Sequence, residues 1–162
     1  MTAAYIGLGS NLGDRRANLV AAVEALDWGD TRITARSGLY ETDPVGGPQG
    51  QPDFLNQVIA VQTALDARAL FERCQAVEAA LGREREAGVR WGPRTIDVDL
   101  LLHGETVVRD ADLELPHPRM HERAFVLVPL EEIAPGLIVP RRGPVRALLA
   151  SLGETAGVRR VA

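Results

Sequence analysis

Two extended stretches of this chain follow each other with no helix between them, and that order limits the fold more than any other feature. Thr31 to Tyr40 and Asp53 to Thr63 both read as strands. In the second, Phe54, Asn56, Val58 and Ala60 fall on one face and Leu55, Gln57, Ile59 and Val61 on the other. They are joined by Asp43 to Pro52, which holds three prolines and three glycines in ten residues. Such a segment can be neither a helix nor a central strand, so it is a loop, and a long one for a small protein.

The flanking pattern completes the picture. Ala3 to Leu8 reads as a short buried strand that ends at Gly9-Ser10-Asn11. Leu12 to Leu26 reads as a helix with Leu19, Val20, Val23 and Leu26 on its apolar stripe, and Asp14 is placed to favour its start. Asp66 to Leu81 is the clearest helix. Its stripe is Leu70, Phe71, Cys74, Val77, Glu78 and Leu81, and Gly82 stops it. Residues 82 to 94 form a second polar loop, and Thr95 to Leu102 a further strand. The order is strand, helix, strand, strand, helix, strand. That is the split βαβ pattern of an α+β, ferredoxin-like sandwich with an antiparallel-rich sheet. A doubly wound α/β sheet is disfavoured by the two adjacent strands. Further helices are expected at Ala124 to Ile133 and Val145 to Leu152, with an edge strand within Gly153 to Ala162. At 162 residues the chain is expected to be one domain, 1–162.

Composition narrows the chemistry. All 18 basic residues are arginine, so lysine can serve neither as Schiff base nor as P-loop phosphate ligand. A net charge of −4 argues against a broad nucleic-acid footprint. The single cysteine, Cys74, excludes an intramolecular disulfide. No stretch resembles a membrane span or a signal peptide, so a cytoplasmic protein is expected.

The strongest local signal is Arg90-Trp-Gly-Pro-Arg-Thr-Ile-Asp-Val-Asp-Leu-Leu-Leu102. On a strand, Asp97 and Asp99 share one face, while Ile96, Val98, Leu100 and Leu102 share the other. Two adjacent carboxylates repel unless a cation lies between them, and hard oxygen ligands at this spacing suit Mg2+ together with substrate phosphates. A bare Asp-x-Asp is more often a solvated polar face. Arg83, Arg85, Arg90 and Arg94, within twelve positions just before it, shift the balance. Guanidinium forks match phosphate oxygens, and arginines beside metals are what phosphoryl transfer needs. Pairing with Glu84 and Glu86 on a solvated loop is the plainer alternative for some of them.

Gly7-Leu-Gly-Ser-Asn-Leu-Gly13 lacks the Gly-x-Gly-x-x-Gly spacing, and no Gly-Lys-Ser/Thr P-loop exists. His117 and His121 are four apart but separated by Pro118, which weakens a zinc reading in favour of polar contacts to a phosphate or base. Phe54 and Phe125 are either core residues or a pair stacking on a flat heterocycle.

These residues resemble the 6-hydroxymethyl-7,8-dihydropterin pyrophosphokinase family of folate biosynthesis. The resemblance runs from Tyr5-Ile-Gly-Leu-Gly-Ser-Asn-Leu-Gly13 through Tyr40-Glu-Thr-Asp-Pro44, Gln51-Pro-Asp-Phe-Leu-Asn56, Arg90 to Leu101 and Leu115-Pro-His-Pro118 to Ile133-Ala-Pro135. It implies a ferredoxin-like sandwich that moves the β,γ-pyrophosphate of ATP to the pterin hydroxymethyl group and releases AMP. By the same resemblance, Asp97 and Asp99 hold two Mg2+ ions, and Arg83 and Arg94 are the mobile and fixed phosphate-binding arginines. Glu78, Arg85, Leu100, His117 and Arg123 are implied as ATP contacts. Thr42, Val45, Phe54, Asn56 and Phe125 are implied as the pterin pocket. A lysine often found in the arginine loop of relatives is absent, and Glu86 lies nearby. ATP and the pterin are the expected partners of a monomer with no nucleic-acid or membrane partner. The residues alone also admit a metal-dependent phosphohydrolase using water, or an RNA-binding module, although Phe54, Phe125 and Asn56 have no evident use in the first. The acidic charge and the absence of a basic-aromatic strand motif disfavour the second.

Overall fold

A computed structural model describes residues 1–44, 49–82, 95–153, 155 and 157–161. The elements in chain order are β1 (Thr2–Ser10), α1 (Arg15–Leu26), β2 (Thr31–Arg36), β3 (Leu39–Thr42), β4 (Phe54–Thr63), α2 (Ala67–Leu81) and β5 (Asp97–His103). Two short ribbons follow, β6 (Val108–Arg109) with β7 (Glu114–Leu115), and β8 (Ile138–Val139) with β9 (Gly143–Pro144). Between and after them lie a 3-10 turn at Met120–Glu122, α3 (Ala124–Ile133), α4 (Val145–Leu152) and β10 (Val158–Val161).

The main sheet runs β10-β3-β4-β1-β5, with β2 also on β4, and all its pairings are antiparallel. The split βαβ arrangement is therefore present: β4 lies between β1 and the β2–β3 strand pair that α1 connects to β1. The helix starts follow local chemistry. Asp14 accepts the Ala17 N–H at 3.1 Å and Asp66 accepts the Ala69 N–H at 2.8 Å, so each carboxylate satisfies a first-turn donor. Gly82 ends α2, and a Cβ there would run into the Glu78 carbonyl oxygen.

Two apolar clusters sandwich the sheet. Ile6, Leu19, Leu26, Ile59, Leu70 and Leu100 belong to the layer between the sheet and α1/α2. Val58, Leu101, Met120, Leu127, Leu130 and Val145 fill the opposite side, beneath α3 and α4. Among the described residues no helix is long and apolar enough to cross a membrane.

Four expectations need correction. The strand expected over Thr31 to Tyr40 is two strands, broken at Ser37-Gly38, because the Gly38 N–H donates to the Glu132 carboxylate instead of a ladder partner. Helix α1 begins at Arg15 rather than Leu12, after Gly13 in a left-handed conformation (φ 74°). Its buried stripe is Leu19, Ala22, Val23 and Leu26, while Val20 is 54% exposed, being about 100° round the helix from Leu19. Finally, the pairing of β5 with β1 shifts between Tyr5 and Ile6, which pair with Leu102 and Leu100. This bulge skips Leu101 and breaks the alternation, so Leu102 joins the α3 side rather than the face of Val98 and Leu100. The expected edge strand forms as β10, on the outside of β3.

Candidate active site

The α3 side of the sheet is not fully covered. Between the sheet and the segment from His117 to Val126 lies a cavity of about 460 Å³. Its floor is made by three strands. Gly7 and Gly9 come from β1, Asn56 and Val58 from β4, and Asp97, Asp99 and Leu101 from β5. One wall is Thr42, Asp43 and Phe54, and the other is His117, Arg119, Glu122, Arg123 and Phe125.

The register explains why this floor can take a charged ligand. Gly9 pairs with Asp97 and Gly7 with Asp99, so each carboxylate has a residue without a side chain as its neighbour across the ladder. Bare backbone beside paired carboxylates leaves room for a hydrated cation and phosphate oxygens. Burial pushes the Asp99 carboxyl above the usual carboxylate range, and the nearby Arg123 guanidinium only partly offsets this. A buried carboxylate in that state gains from a bound cation. Among the described residues no three or more His, Cys, Asp or Glu side chains are grouped so as to hold a metal ion by themselves. Two carboxylates with phosphate oxygens nonetheless suit Mg2+, which keeps waters and takes few protein ligands. Asp97 and Asp99 would hold it.

A carboxamide from β4 joins the Thr42 and Phe54 side of the cavity. Asn56 is 7% exposed, and its amide donates to Thr42 Oγ1 at 2.6 Å, which fixes the carboxamide plane. A Cβ on Gly9 would stand 2.7 Å from Asn56 Oδ1, closer than packed atoms tolerate, so glycine is required there by close approach. Phe54 and Phe125 line the same cavity, one on each wall. The Arg123 guanidinium lies over the Phe125 ring, 5.4 Å from its centre.

His117 lines the same cavity. Its Nδ1 accepts the Arg119 N–H at 3.2 Å, so the neutral ring carries its proton on Nε2. Burial lowers its pKa to about 4, helped by the positive charges of Arg123, Arg142 and Arg119 against an opposing effect of Glu114. The imidazole is thus a neutral donor through the physiological range. Its backbone is held too, since the His117 N–H donates to the Leu101 carbonyl at 2.9 Å and Arg142 donates to the His117 carbonyl at 2.8 Å.

The cavity brings together Thr42, Phe54, Asn56, Asp97, Asp99, His117, Arg123 and Phe125 from the residues expected at the site. Two others stand elsewhere. The Glu78 carboxylate accepts the Val98 N–H at 2.8 Å, tying α2 to β5. That bond explains a glutamate on an otherwise apolar stripe. Leu100 points to the α1/α2 layer, because side chains alternate along β5 before the bulge. Val45, Arg83, Arg85, Arg90 and Arg94 lie outside the described residues. His121, weighed above as a metal ligand, instead meets Arg142 through Nδ1 at 2.6 Å. Sequence reasoning missed Gly9 and Asp43. Gly9 carries a motif-like glycine spacing whose use appears only when β1 is laid beside β4 and β5.

A family model described as 7,8-dihydro-6-hydroxymethylpterin-pyrophosphokinase (HPPK) matches residues 5–135. The chain belongs to this family. Among HPPK relatives, the 2-amino-4-hydroxy-6-hydroxymethyldihydropteridine pyrophosphokinase of Methylorubrum extorquens is 49% identical over 162 residues, 99% of each chain. The enzyme of the same name from Bacillus subtilis is 49% identical over 131 residues, 80% of this chain and 77% of that one. The fold is likewise that of HPPK structures. A Plasmodium falciparum HPPK-DHPS crystal structure (A437G, with SDX-DHP) superposes with a TM-score of 0.75 at 12% identity, covering 98% of this chain and 48% of that one. An HPPK-DHPS in complex with substrates gives 0.71 at 12% identity, covering 93% and 43%. The chain spans somewhat less than half of these solved chains, and at such identity the likeness is one of fold. The HPPK match takes in every cavity residue named above and ends before α4 and β10.

Proposed function

We propose that the protein transfers the pyrophosphoryl group of ATP to the hydroxymethyl group of 6-hydroxymethyl-7,8-dihydropterin, releasing AMP, as a step of folate biosynthesis. Family membership and relatives named as pyrophosphokinases across nearly their whole length support this activity. The observation that carries it is the joining, in one cavity, of a carboxylate pair with two aromatic rings and a fixed carboxamide.

Each part has a job in that reaction. Phe54 and Phe125 hold a flat heterocycle by its faces. Asn56, with one amide proton spent on Thr42, offers its oxygen and second N–H to the ring's hydrogen-bonding edge. That fixes the direction in which a hydroxymethyl substituent points. Asp97 and Asp99 would hold Mg2+, with two ions the number implied by the resemblance. When bound, the metal neutralises phosphate charge and makes the hydroxyl a better nucleophile. His117 and Arg123 supply a neutral donor and a fixed positive charge to phosphate oxygens, and Arg83, Arg85 and Arg94 are proposed to add further charge. Glu78 and Leu100 would contribute to the ATP side by holding β5 in place and not through side chains in the cavity. Val45 is proposed as part of the pterin pocket. No covalent intermediate on the protein is needed, because an alcohol in line with the phosphorus suffices.

A phosphohydrolase would use the same carboxylates, but the two aromatic rings and the fixed carboxamide would then serve no purpose. The test is to incubate protein, ATP and Mg2+ with and without the reduced pterin. AMP formation that depends on the pterin supports the proposal. Release of phosphate or ADP at the same rate without pterin would replace it with the hydrolase reading.

A further inference from the structure

On the pterin side of the cavity the chain leaves the sheet where β3 and β4 separate, and their last paired residues are Thr42 and Phe54. The next residue on each limb is an aspartate, Asp43 and Asp53. One guanidinium joins them. Arg159 of β10 donates from Nη1 to Asp43 Oδ1 at 3.3 Å and from Nη2 to Asp53 Oδ2 at 3.0 Å. The geometry makes a side-chain rung directly beyond the last backbone rung. It forms because β10 pairs with β3 in the register that sets Arg159 against Glu41 and Val158 against Thr42.

Other contacts hold the limbs separately. The Asp43 N–H donates to the Gly157 carbonyl at 3.3 Å. Asn11 donates to the Pro52 carbonyl at 2.9 Å, and Arg15 to the Asp53 carbonyl at 3.1 Å. Arg15 also reaches Glu41 at 3.5 Å. The neck of the loop thus gathers three carboxylates, Glu41, Asp43 and Asp53, around two arginines. Without Arg159 the two aspartates would face each other across the neck with like charge, and repulsion would drive apart the limbs that carry Thr42 and Phe54.

We propose that Arg159 is a positioning residue for the pterin side of the site, and that β10 acts as a strap fixing the spacing between Thr42 and Phe54. The inference rests on the pterin reading of the cavity. It goes beyond family membership, since Arg159 lies outside the matched residues 5–135.

The sign of the salt response separates this role from plain structural support. In the parent protein, salt screens an attraction that holds the neck closed, so pterin binding weakens as salt rises from about 50 to about 500 mM. In Arg159→Ala, salt screens the remaining Asp43–Asp53 repulsion, so binding improves over the same range. The ion pairs are partly exposed, which sets a modest scale of about three- to tenfold in pterin affinity for Arg159→Ala at low salt. Arg159→Lys, with one charged end and no fork, should recover part of the loss, and Asp43→Asn placed on Arg159→Ala should recover more.

The experiment titrates the reduced pterin into each full-length protein with a saturating non-hydrolysable ATP analogue and Mg2+, at both salt concentrations. Hydrogen exchange of segments 40–44 and 52–56 is followed in the free proteins. Opposite salt slopes, with faster exchange in both segments of Arg159→Ala, support the strap. Equal affinities, parallel salt slopes and unchanged exchange overturn it. Failure of the parent protein itself to bind the pterin would overturn the pterin reading instead, and the exchange data alone would then decide whether Arg159 holds the neck.

Discussion

Gly9→Ala is a one-methyl test of how the site is built. The new Cβ would stand 2.7 Å from Asn56 Oδ1, so the carboxamide must retreat. It cannot do so freely, because its amide is bonded to Thr42 at 2.6 Å and the residue is only 7% exposed. Leaving that buried pair unsatisfied costs about 1–3 kcal/mol, and an off-rotamer Asn56 adds about 0.5–1.5 kcal/mol. The part of that cost felt only in the complex lowers pterin affinity, tenfold for about every 1.4 kcal/mol. A melting temperature lower by about 2–4 °C for each kcal/mol that falls on the free protein should accompany it. Gly7→Ala is the control, since its Cβ would meet only the Leu101 side chain at an ordinary 3.6 Å. It should leave the melting temperature near that of the parent. The decisive arm is the double variant. Removing the carboxamide removes the clash, so Gly9→Ala should cost nothing further in an Asn56→Ala background. Isothermal titration with the pterin and thermal melts of the four proteins supply the cycle. Parent-like pterin affinity together with a parent-like melting temperature in Gly9→Ala, or full additivity in the double variant, would contradict a clash with Asn56.

Further expectations follow from the charged half of the cavity. Asp99→Asn keeps the shape but removes a carboxylate that burial disfavours, so the metal-free protein should melt several degrees higher at pH 7 while turnover falls by orders of magnitude. Scanning calorimetry with and without Mg2+ and ATP checks this, and a lower metal-free melting temperature would contradict it. His117 titrates near 4 when folded and near 6.5 when unfolded, so its contribution to stability is present above pH 6.5 and is lost as the pH falls toward 4. Arg142→Met removes one of the charges that depress that pKa and a donor to the His117 carbonyl. Imidazole resonances should then titrate at higher pH, and the KM for ATP should rise with kcat less affected. An unmoved titration would show that Arg142 does not depress it.

The sheet and both main helices were legible because their signals are local: alternation in β4, the capping aspartates Asp14 and Asp66, and the proline-rich break after Asp43. The Asp97–Asp99 pair was legible because strand alternation puts both residues on one face. What escaped depends on contacts distant in sequence. The split of the β2–β3 stretch is decided by Glu132, more than ninety positions away from Gly38. The bulge opposite Tyr5 that sends Leu102 to the far side of the sheet leaves no mark in an all-apolar run. Gly9 and Arg159 act through residues on other strands, and no spacing in the chain reveals which strands will lie side by side.

One cavity is proposed to align a pterin alcohol with the β-phosphorus of ATP. Supplying ATP labelled at the β-phosphorus, with Mg2+ and the reduced pterin, and locating the label after a single turnover tests it directly. All the transferred label should reside on the pterin, as its diphosphate, in amounts equal to the unlabelled AMP formed. Label remaining in ADP, or appearing as free phosphate or pyrophosphate without modified pterin, would contradict it.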